Sequence, residues 1–206
     1  LPTLSQNDWI GGVAEAFKVA IIKDAAFFDL LCDKAAALRD RCLASMETVV
    51  RRCAVLHLEH ISTSGDPFEF GSARPLDFGH WVAHWLEVAS AYDIGHGQAV
   101  AVGIAIDSFY AMRQGLLGKE EFDRIIAGLL DCGLPVWCEH LSTRSANGEL
   151  SVLEGLSQFR EHLGGTLCVT LPNRIGRKTE VHHMDTGIIE EAVSYLGSVA
   201  NGARQC

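Results

Sequence analysis

Residues 78–117 read FGHWVAHWLEVASAYDIGHGQAVAVGIAIDSFYAMRQGLL. Apolar residues recur at helical spacing over residues 78–91, and a second helical pattern covers residues 97–117. The second pattern is apolar along most of its length, which is typical of a helix that is buried on all sides. We therefore expect this stretch to form the centre of a helical core.

Helical periodicity continues on both sides of this stretch. Upstream, residues 8–62 are predicted to form helices, and further helices are predicted downstream over residues 119–132, 152–162 and 188–199. Residues 166–171 and 179–183 favour a small β-hairpin, because the first segment alternates and is rich in Thr and Val. The chain is thus predicted to be a mainly α, single helical domain over residues 1–206 with one minor β element.

Glycine and proline mark the predicted breaks between these elements. Residues 62–77 contain two Gly and two Pro and predict a long loop, a feature that is often functional in compact domains. The doublet Gly11-Gly12 is interpreted as a helix start, and Gly164-Gly165 as a turn. Neither doublet follows a strand and opens a helix, so no dinucleotide- or phosphate-binding loop is predicted.

Composition excludes several classes of partner. The 206 residues include 17 Lys and Arg against 26 Asp and Glu, for a formal net charge of −9. Nucleic acids and anionic membranes require a basic face, so neither is expected as a partner. The sequence contains no run of 18 apolar residues, so no membrane-spanning helix is predicted. The seven Cys contain no CxxC pair, which favours free thiols in a reducing cytoplasm over disulfides or a thiolate zinc site.

Three histidines lie within 17 residues and could carry chemistry. His80 and His84 are four residues apart and share one helix face, and His96 follows 12 residues later. Neutral imidazole is the commonest metal ligand, but this spacing fits hydrogen-bonded core histidines as well. Trp81 follows the first histidine where a zincin has Glu, so that protease class is excluded.

Glu15 interrupts an apolar helix face, with Lys18 one turn later. The two could form an exposed ion pair, or Glu15 could be a buried carboxylate that requires a partner charge or a metal. One Glu with two His would suit Zn²⁺ with a position open for substrate. The polar side chains of the predicted loop suit a polyhydroxylated anionic substrate, although they fit a solvated loop equally well; they are Asp66, Glu69, Arg74 and Asp77.

Three motifs resemble the metal-binding domain of the sugar phosphate cyclases, a family that includes 3-dehydroquinate synthase and the sedoheptulose 7-phosphate cyclases. They are GGVAEAFKVAII at 11–22, GDPFEFGSARPLDFGHWVAHWLE at 65–87 and HGQAVAVGIAID at 96–107. The resemblance runs in one order over residues 4–199. It implies a homodimeric enzyme whose N-terminal NAD-binding domain is absent from this chain.

The resemblance also implies roles for individual residues. Glu15, His80 and His96 match the ligands of Zn²⁺ or Co²⁺. Catalytic roles fall to His84, as relay of a hydroxyl proton, and to Lys18, which would anchor substrate anions or oxygens. The substrate-binding positions are Arg74, Asp77 and His162.

Within the family, the chain is most similar to the sedoheptulose 7-phosphate cyclases of the 2-epi-5-epi-valiolone synthase type. Asp77 stands where dehydroquinate synthases usually carry Asn, and FREHLGG at 159–165 replaces a Lys pair. A lost cation suits a substrate without a carboxylate, because an ammonium facing no anion would be unpaired. The implied reaction is cyclisation to a C7 cyclitol with phosphate elimination, in which NAD is recycled.

One departure and several alternatives accompany this interpretation. Gln98 stands where most of the family has Glu after His-Gly, which could alter the support of His96. The alternatives are a 3-dehydroquinate synthase, a non-catalytic metal-binding module and a metal-dependent polyol dehydrogenase.

Overall fold

The computed structural model describes residues 1–63, 77–162 and 164–203. Within these ranges the chain forms nine α-helices and one antiparallel pair of strands, and the prediction of a mainly helical chain with a small hairpin is confirmed. The helices are α1 (Gln6–Lys23), α2 (Ala25–Asp33), α3 (Ala35–Arg39), α4 (Leu43–Thr63), α5 (His80–Ala89), α6 (His96–Arg113), α7 (Lys119–Asp131), α8 (Leu153–His162) and α9 (Thr186–Ala203). The strands are β1 (Val169–Arg174) and β2 (Arg177–Val181).

Helix α6 lies at the centre of the core, as the sequence predicts. Every residue from position 99 to position 111 is buried, and the helix packs against α1, α5, α7, α9 and β1. The apolar side chains that surround it come from all parts of the chain, so the described residues share one hydrophobic core. The helix ends at Arg113, four residues before the predicted end, because Gly115 takes a left-handed conformation with φ of 72°.

Helices α1 and α6 cross at two glycines. A Cβ atom on Gly97 would lie 2.1 Å from the Cα atom of Gly11, so only glycine permits this approach. The interpretation of Gly11-Gly12 as a helix start is therefore wrong, since both residues lie inside α1. The close crossing, which local sequence signals do not reveal, explains the glycine at position 97. Gly164 and Gly165 have φ of 80° and 102°, and the predicted turn there is confirmed.

The hairpin is displaced from its predicted position. The prediction paired residues 166–171 with 179–183, whereas the structure pairs Val169 with Val181 and Leu171 with Thr179. The first strand continues through Pro172, which a two-stranded sheet tolerates because both of its strands are edges. Gly176, with φ of 84°, sets the turn, and its N–H donates to the Ile21 carbonyl of α1 at 2.7 Å.

The predicted loop over residues 62–77 falls largely on residues 64–76, which lie outside the described ranges. Residues 62 and 63 belong to α4, and Asp77 forms part of a short turn before α5. None of the helices in the described ranges is long and apolar enough to cross a membrane. The six cysteines there are free thiols, and burial raises the pKa of Cys132 to about 12.

Candidate metal centre

Three helices bring one carboxylate and two imidazoles together. Glu15 lies in the third turn of α1, His80 is the first residue of α5, and His96 is the first residue of α6. One potential ligand atom from each residue lies within 4.8 Å of the others. Glu15 is 65 positions from His80 in sequence, and His80 is 16 positions from His96. The fold thus brings the three side chains into a space the size of a single ion's coordination shell.

His80 is held as a neutral imidazole with one nitrogen free. Its Nδ1 lies 3.1 Å from the carbonyl oxygen of Phe78, to which it donates, so Nε2 keeps its lone pair. Burial, followed by the positive charge of Lys18, lowers the pKa of His80 to about 4. The ring is therefore unprotonated near neutral pH, which is the form that binds a metal ion.

His96 is oriented by a carboxylate that the sequence analysis missed. Its Nδ1 lies 3.2 Å from Oε1 of Glu87 on α5, and its Nε2 lies 3.5 Å from Oε1 of Glu15. A carboxylate on the outer nitrogen fixes the tautomer and raises the basicity of the inner one, as in many zinc sites. The signal was present in the spacing, because Glu87 follows His80 by seven residues and so shares its helix face.

Gln98 does not take part in this arrangement. Its Nε2 donates to the backbone carbonyl of Asn7 at 3.1 Å and so joins the start of α6 to the start of α1. The support of His96 that was expected to depend on position 98 comes from Glu87 instead.

Glu15 has one satisfied oxygen and one orphaned oxygen. Its Oε2 lies 2.6 Å from Nζ of Lys18, whose side chain is only 6% exposed. The idea of an exposed Glu–Lys pair is therefore wrong, because the lysine is buried. Oε1 is also buried and has no hydrogen-bond donor among the described residues. A buried carboxylate oxygen without a donor, beside two imidazoles, is a position that could accept a metal ion.

The donor set fits the ion that the sequence analysis expects. One carboxylate oxygen and two imidazole nitrogens match the protein ligands of catalytic Zn²⁺ sites, and Co²⁺ accepts the same atoms. Three protein ligands leave a fourth position for water or substrate. His96 is exposed, so this position is reachable from outside.

His84 stands at the rim of the group. Its ring centroid lies 5.4 Å from that of His80 and 6.4 Å from that of His96. The side chain is exposed and borders a cavity of about 150 Å³ that Trp81, Val88 and Phe159 also line. Two larger cavities, of about 400 and 410 Å³, include none of the three grouped residues.

The remaining predicted site residues are only partly described. Asp77 is half-buried directly before α5 and lies near the hairpin, where burial, Glu180 and then Asp77 raise the pKa of Cys168. Arg74 lies outside the described residues, as do Asp66 and Glu69. His162 is the last residue of α8, and its side chain also lies outside the described part.

Comparison with known proteins places these features in context. The family of 3-dehydroquinate synthase C-terminal domains matches residues 12–152, more than half of the chain. A 3-dehydroquinate synthase from Vibrio atlanticus (strain LGP32) is 28% identical over 196 residues, which cover 95% of this chain and 52% of the relative.

Two solved structures are also similar. ValA, a 2-epi-5-epi-valiolone synthase from Streptomyces hygroscopicus subsp. jinggangensis 5008 with NAD⁺ and Zn²⁺ bound, has 30% identity and a TM-score of 0.83, over 96% of this chain and 53% of that one. A 2-deoxy-scyllo-inosose synthase complexed with carbaglucose-6-phosphate, NAD⁺ and Co²⁺ has 17% identity and a TM-score of 0.72, over 94% and 54%, and at that identity shows the fold alone. The chain spans about half the length of the relatives it matches.

Proposed function

The chain belongs to the family of 3-dehydroquinate synthase C-terminal domains, and we propose on this premise that it is the metal- and substrate-binding half of a sugar phosphate cyclase. The proposed reaction converts sedoheptulose 7-phosphate into a C7 cyclitol of the valiolone type and releases phosphate. It uses NAD, bound by an N-terminal domain, and Zn²⁺ or Co²⁺. The observation that carries the proposal is the meeting of Glu15, His80 and His96 at a carboxylate oxygen without a donor.

In this proposal Glu15, His80 and His96 hold the ion. Bound there, Zn²⁺ would act as a Lewis acid toward an oxygen of the substrate. The Phe78 carbonyl and the Glu87 carboxylate hold the outer nitrogens of the two imidazoles, so the inner nitrogens remain available. The residues are therefore oriented before any ligand arrives, which reduces the free energy needed to order them.

Two neighbouring side chains supply proton transfer and charge. His84 is one helical turn from His80 and exposed, which suits a relay of the substrate hydroxyl proton to solvent. Lys18 offers three N–H donors from a buried ammonium, one of them directed at Glu15. We assign it to bind a substrate oxygen, because a buried cation attracts anionic groups more strongly than an exposed one.

The choice of substrate rests on three positions. Asp77 and His162 are proposed to read the hydroxyl pattern of the sugar, and Arg74 to bind an anionic group or oxygen. Asp77 in place of Asn, and FREHLGG at 159–165 in place of a Lys pair, favour a substrate without a carboxylate. The 28% identity to a 3-dehydroquinate synthase keeps that activity as the second candidate.

The test uses the intact gene product, since this chain spans about half of its relatives. The protein would be incubated with Zn²⁺, NAD and sedoheptulose 7-phosphate, and the products identified by NMR. A parallel reaction would contain a deoxy, carboxylated heptulosonate phosphate. We expect a C7 cyclitol ketone and stoichiometric phosphate from the first substrate.

Each other outcome selects a different function. Turnover of the carboxylated substrate alone would make the protein a 3-dehydroquinate synthase. Net NADH without phosphate release would indicate a polyol dehydrogenase. Zn²⁺ binding with no turnover of either substrate would indicate a non-catalytic module.

The proposed enzyme works as a homodimer in a reducing compartment such as the cytoplasm. The six free thiols of the described residues support the compartment.

A further inference from the structure

We propose that Asp107 is a positioning residue of the metal centre, which holds the first turn of α5, and thereby His80, against α6, which carries His96. This inference rests on the proposed metal site. It concerns a side chain that binds neither metal nor substrate in the proposal above.

Asp107 joins the two histidine-bearing helices. It lies on α6, three turns after His96, and its exposed fraction is 0%. Its Oδ2 accepts from the backbone N–H of Gly79 at 2.9 Å, and its Oδ1 accepts from the indole N–H of Trp81 at 2.8 Å. Gly79 and Trp81 flank His80, so the carboxyl group accepts hydrogen bonds from the residues on both sides of this proposed ligand.

The carboxyl group acts as a cap supplied from another helix. Gly79 is the N-cap residue of α5, and its own backbone N–H is the group that Asp107 bonds. In a capping box this N–H is bonded by the side chain of the N3 residue of the same helix. Here the oxygen comes from α6, so the cap also fixes the position of one helix relative to the other.

Backbone contacts restrict the same junction. Gly79 has φ of 78°, and a Cβ atom on it would lie 2.9 Å from the backbone nitrogen of Ile104. A Cβ atom on Gly103 would lie 1.9 Å from the carbonyl oxygen of Gly79. The start of α5 therefore rests directly on the backbone of α6, one turn before Asp107. A shift of this junction would move His80 relative to His96.

The chemistry at position 107 calls for a carboxyl group. Both of its partners are donors, and a carboxyl group can accept at both oxygens whether it is ionised or protonated. Among the described residues no cation forms an ion pair with Asp107, and burial raises its pKa to about 7. Burying the Asp107 carboxyl group costs desolvation free energy, and the hydrogen bonds from Gly79 and Trp81 offset this cost.

The test is a metal titration of the intact gene product with a double-mutant cycle. In Asp107→Asn the amide nitrogen must face either Gly79 N–H or Trp81 N–H, and two donors repel. We expect Co²⁺ affinity to fall about tenfold to a hundredfold, as for other outer-sphere partners of metal ligands. In a Trp81→Phe background the indole donor is gone, so Asn can turn its oxygen to Gly79. In the Trp81→Phe background we expect Asp107→Asn to weaken Co²⁺ binding by less than about threefold, because the amide oxygen of the new side chain can still accept from the Gly79 N–H.

The visible spectrum of bound Co²⁺ separates positioning from general destabilisation. Asp107→Asn should change the ligand-field bands, whereas Ile106→Val, at the neighbouring fully buried position, should lower stability and leave both the bands and the affinity unchanged. Unchanged Co²⁺ affinity in Asp107→Asn would overturn the inference, as would an equal loss in the Trp81→Phe background. If His80→Ala binds Co²⁺ as the wild type does, the proposed metal site itself is wrong.

Discussion

The starts of α5 and α6 both present a histidine to the same point, yet they are held in different ways. At α5 the N-cap is Gly79 in the left-handed region, buried on the backbone of α6 and bonded by Asp107. At α6 the N-cap is Gly95 in an extended conformation without a side-chain cap. His80 is half-buried and bonded to a backbone carbonyl, whereas His96 is exposed and bonded to the Glu87 side chain.

The two histidines are therefore oriented by different kinds of hydrogen-bond partner, one in the backbone and one in a side chain. A backbone carbonyl cannot be substituted, so the orientation of His80 is built into the fold. The orientation of His96 depends on one glutamate, and a hydrogen bond to a carboxylate is of the stronger, charge-assisted kind. We therefore expect substitutions around α5 to act through packing, and those around α6 to act through electrostatics.

The largest expected effect is the loss of a ligand. His80→Ala should abolish stoichiometric Zn²⁺ binding and turnover, because it removes one of three donors. Metal content after dialysis would be measured beside activity. His84→Ala is the control, since the rim histidine should be dispensable for the metal and needed for turnover. Equal metal content in wild type and His80→Ala would contradict the assignment.

A smaller effect is expected from the residue that orients His96. Glu87→Gln should weaken Zn²⁺ binding by about tenfold to a hundredfold, because the outer nitrogen loses its charged partner. Competition with a chromophoric chelator would give the affinity. Glu120→Gln, at an exposed position on α7, is the matched control and should leave affinity unchanged. If the two variants behave alike, Glu87 has no part in metal binding.

The crossing of α1 and α6 offers a matched pair of glycine substitutions. Gly97→Ala should lower the free energy of unfolding by about 1–3 kcal/mol, because its methyl group would meet Gly11 and force the helices apart. Gly12→Ala has no heavy atom within 4 Å and should raise stability by about 0.5–1 kcal/mol through helix propensity. Urea denaturation would measure both. A neutral Gly97→Ala would mean that the close crossing is not required.

The smallest effect is expected at position 98. Gln98→Glu removes the amide that donates to Asn7 and should lower the free energy of unfolding by about 0.5–1.5 kcal/mol. Zn²⁺ affinity should stay within about threefold, since the side chain bonds to α1 and not to His96. A tenfold gain in affinity would instead show that a charge at this position reaches His96.

Sequence alone was enough for the helical class and for the candidate ligands, but for different reasons. The helices follow from periodicity, which local spacing encodes, and α6 was expected to be buried because it is apolar on every face. The selection of Glu15, His80 and His96 rested on resemblance to a family. Their spacing alone was also compatible with histidines buried in the core and with an exposed ion pair between Glu15 and Lys18. Only the folded chain brings their ligand atoms within 4.8 Å.

Glu87 and Asp107 show what sequence reasoning overlooked. Glu87 could have been found, because it lies on the histidine face of the same helix. Asp107 gives no local signal, since its partners Gly79 and Trp81 are 28 and 26 residues away and belong to another helix. Helix-to-helix hydrogen bonds depend on the packing of the core, which no window of sequence contains.

The sequence by itself determined which segments become helices, that the chain turns at Gly164 and Gly165, and that the formal net charge is −9. Tertiary structure alone decided that Gly97 permits a helix crossing, that the hairpin turns at Gly176, and that one oxygen of Glu15 is left without a donor beside two imidazoles. The physical reason is range. Backbone propensity and periodicity act over a few residues, whereas burial and the direction of a lone pair are set by residues that meet only when the core closes.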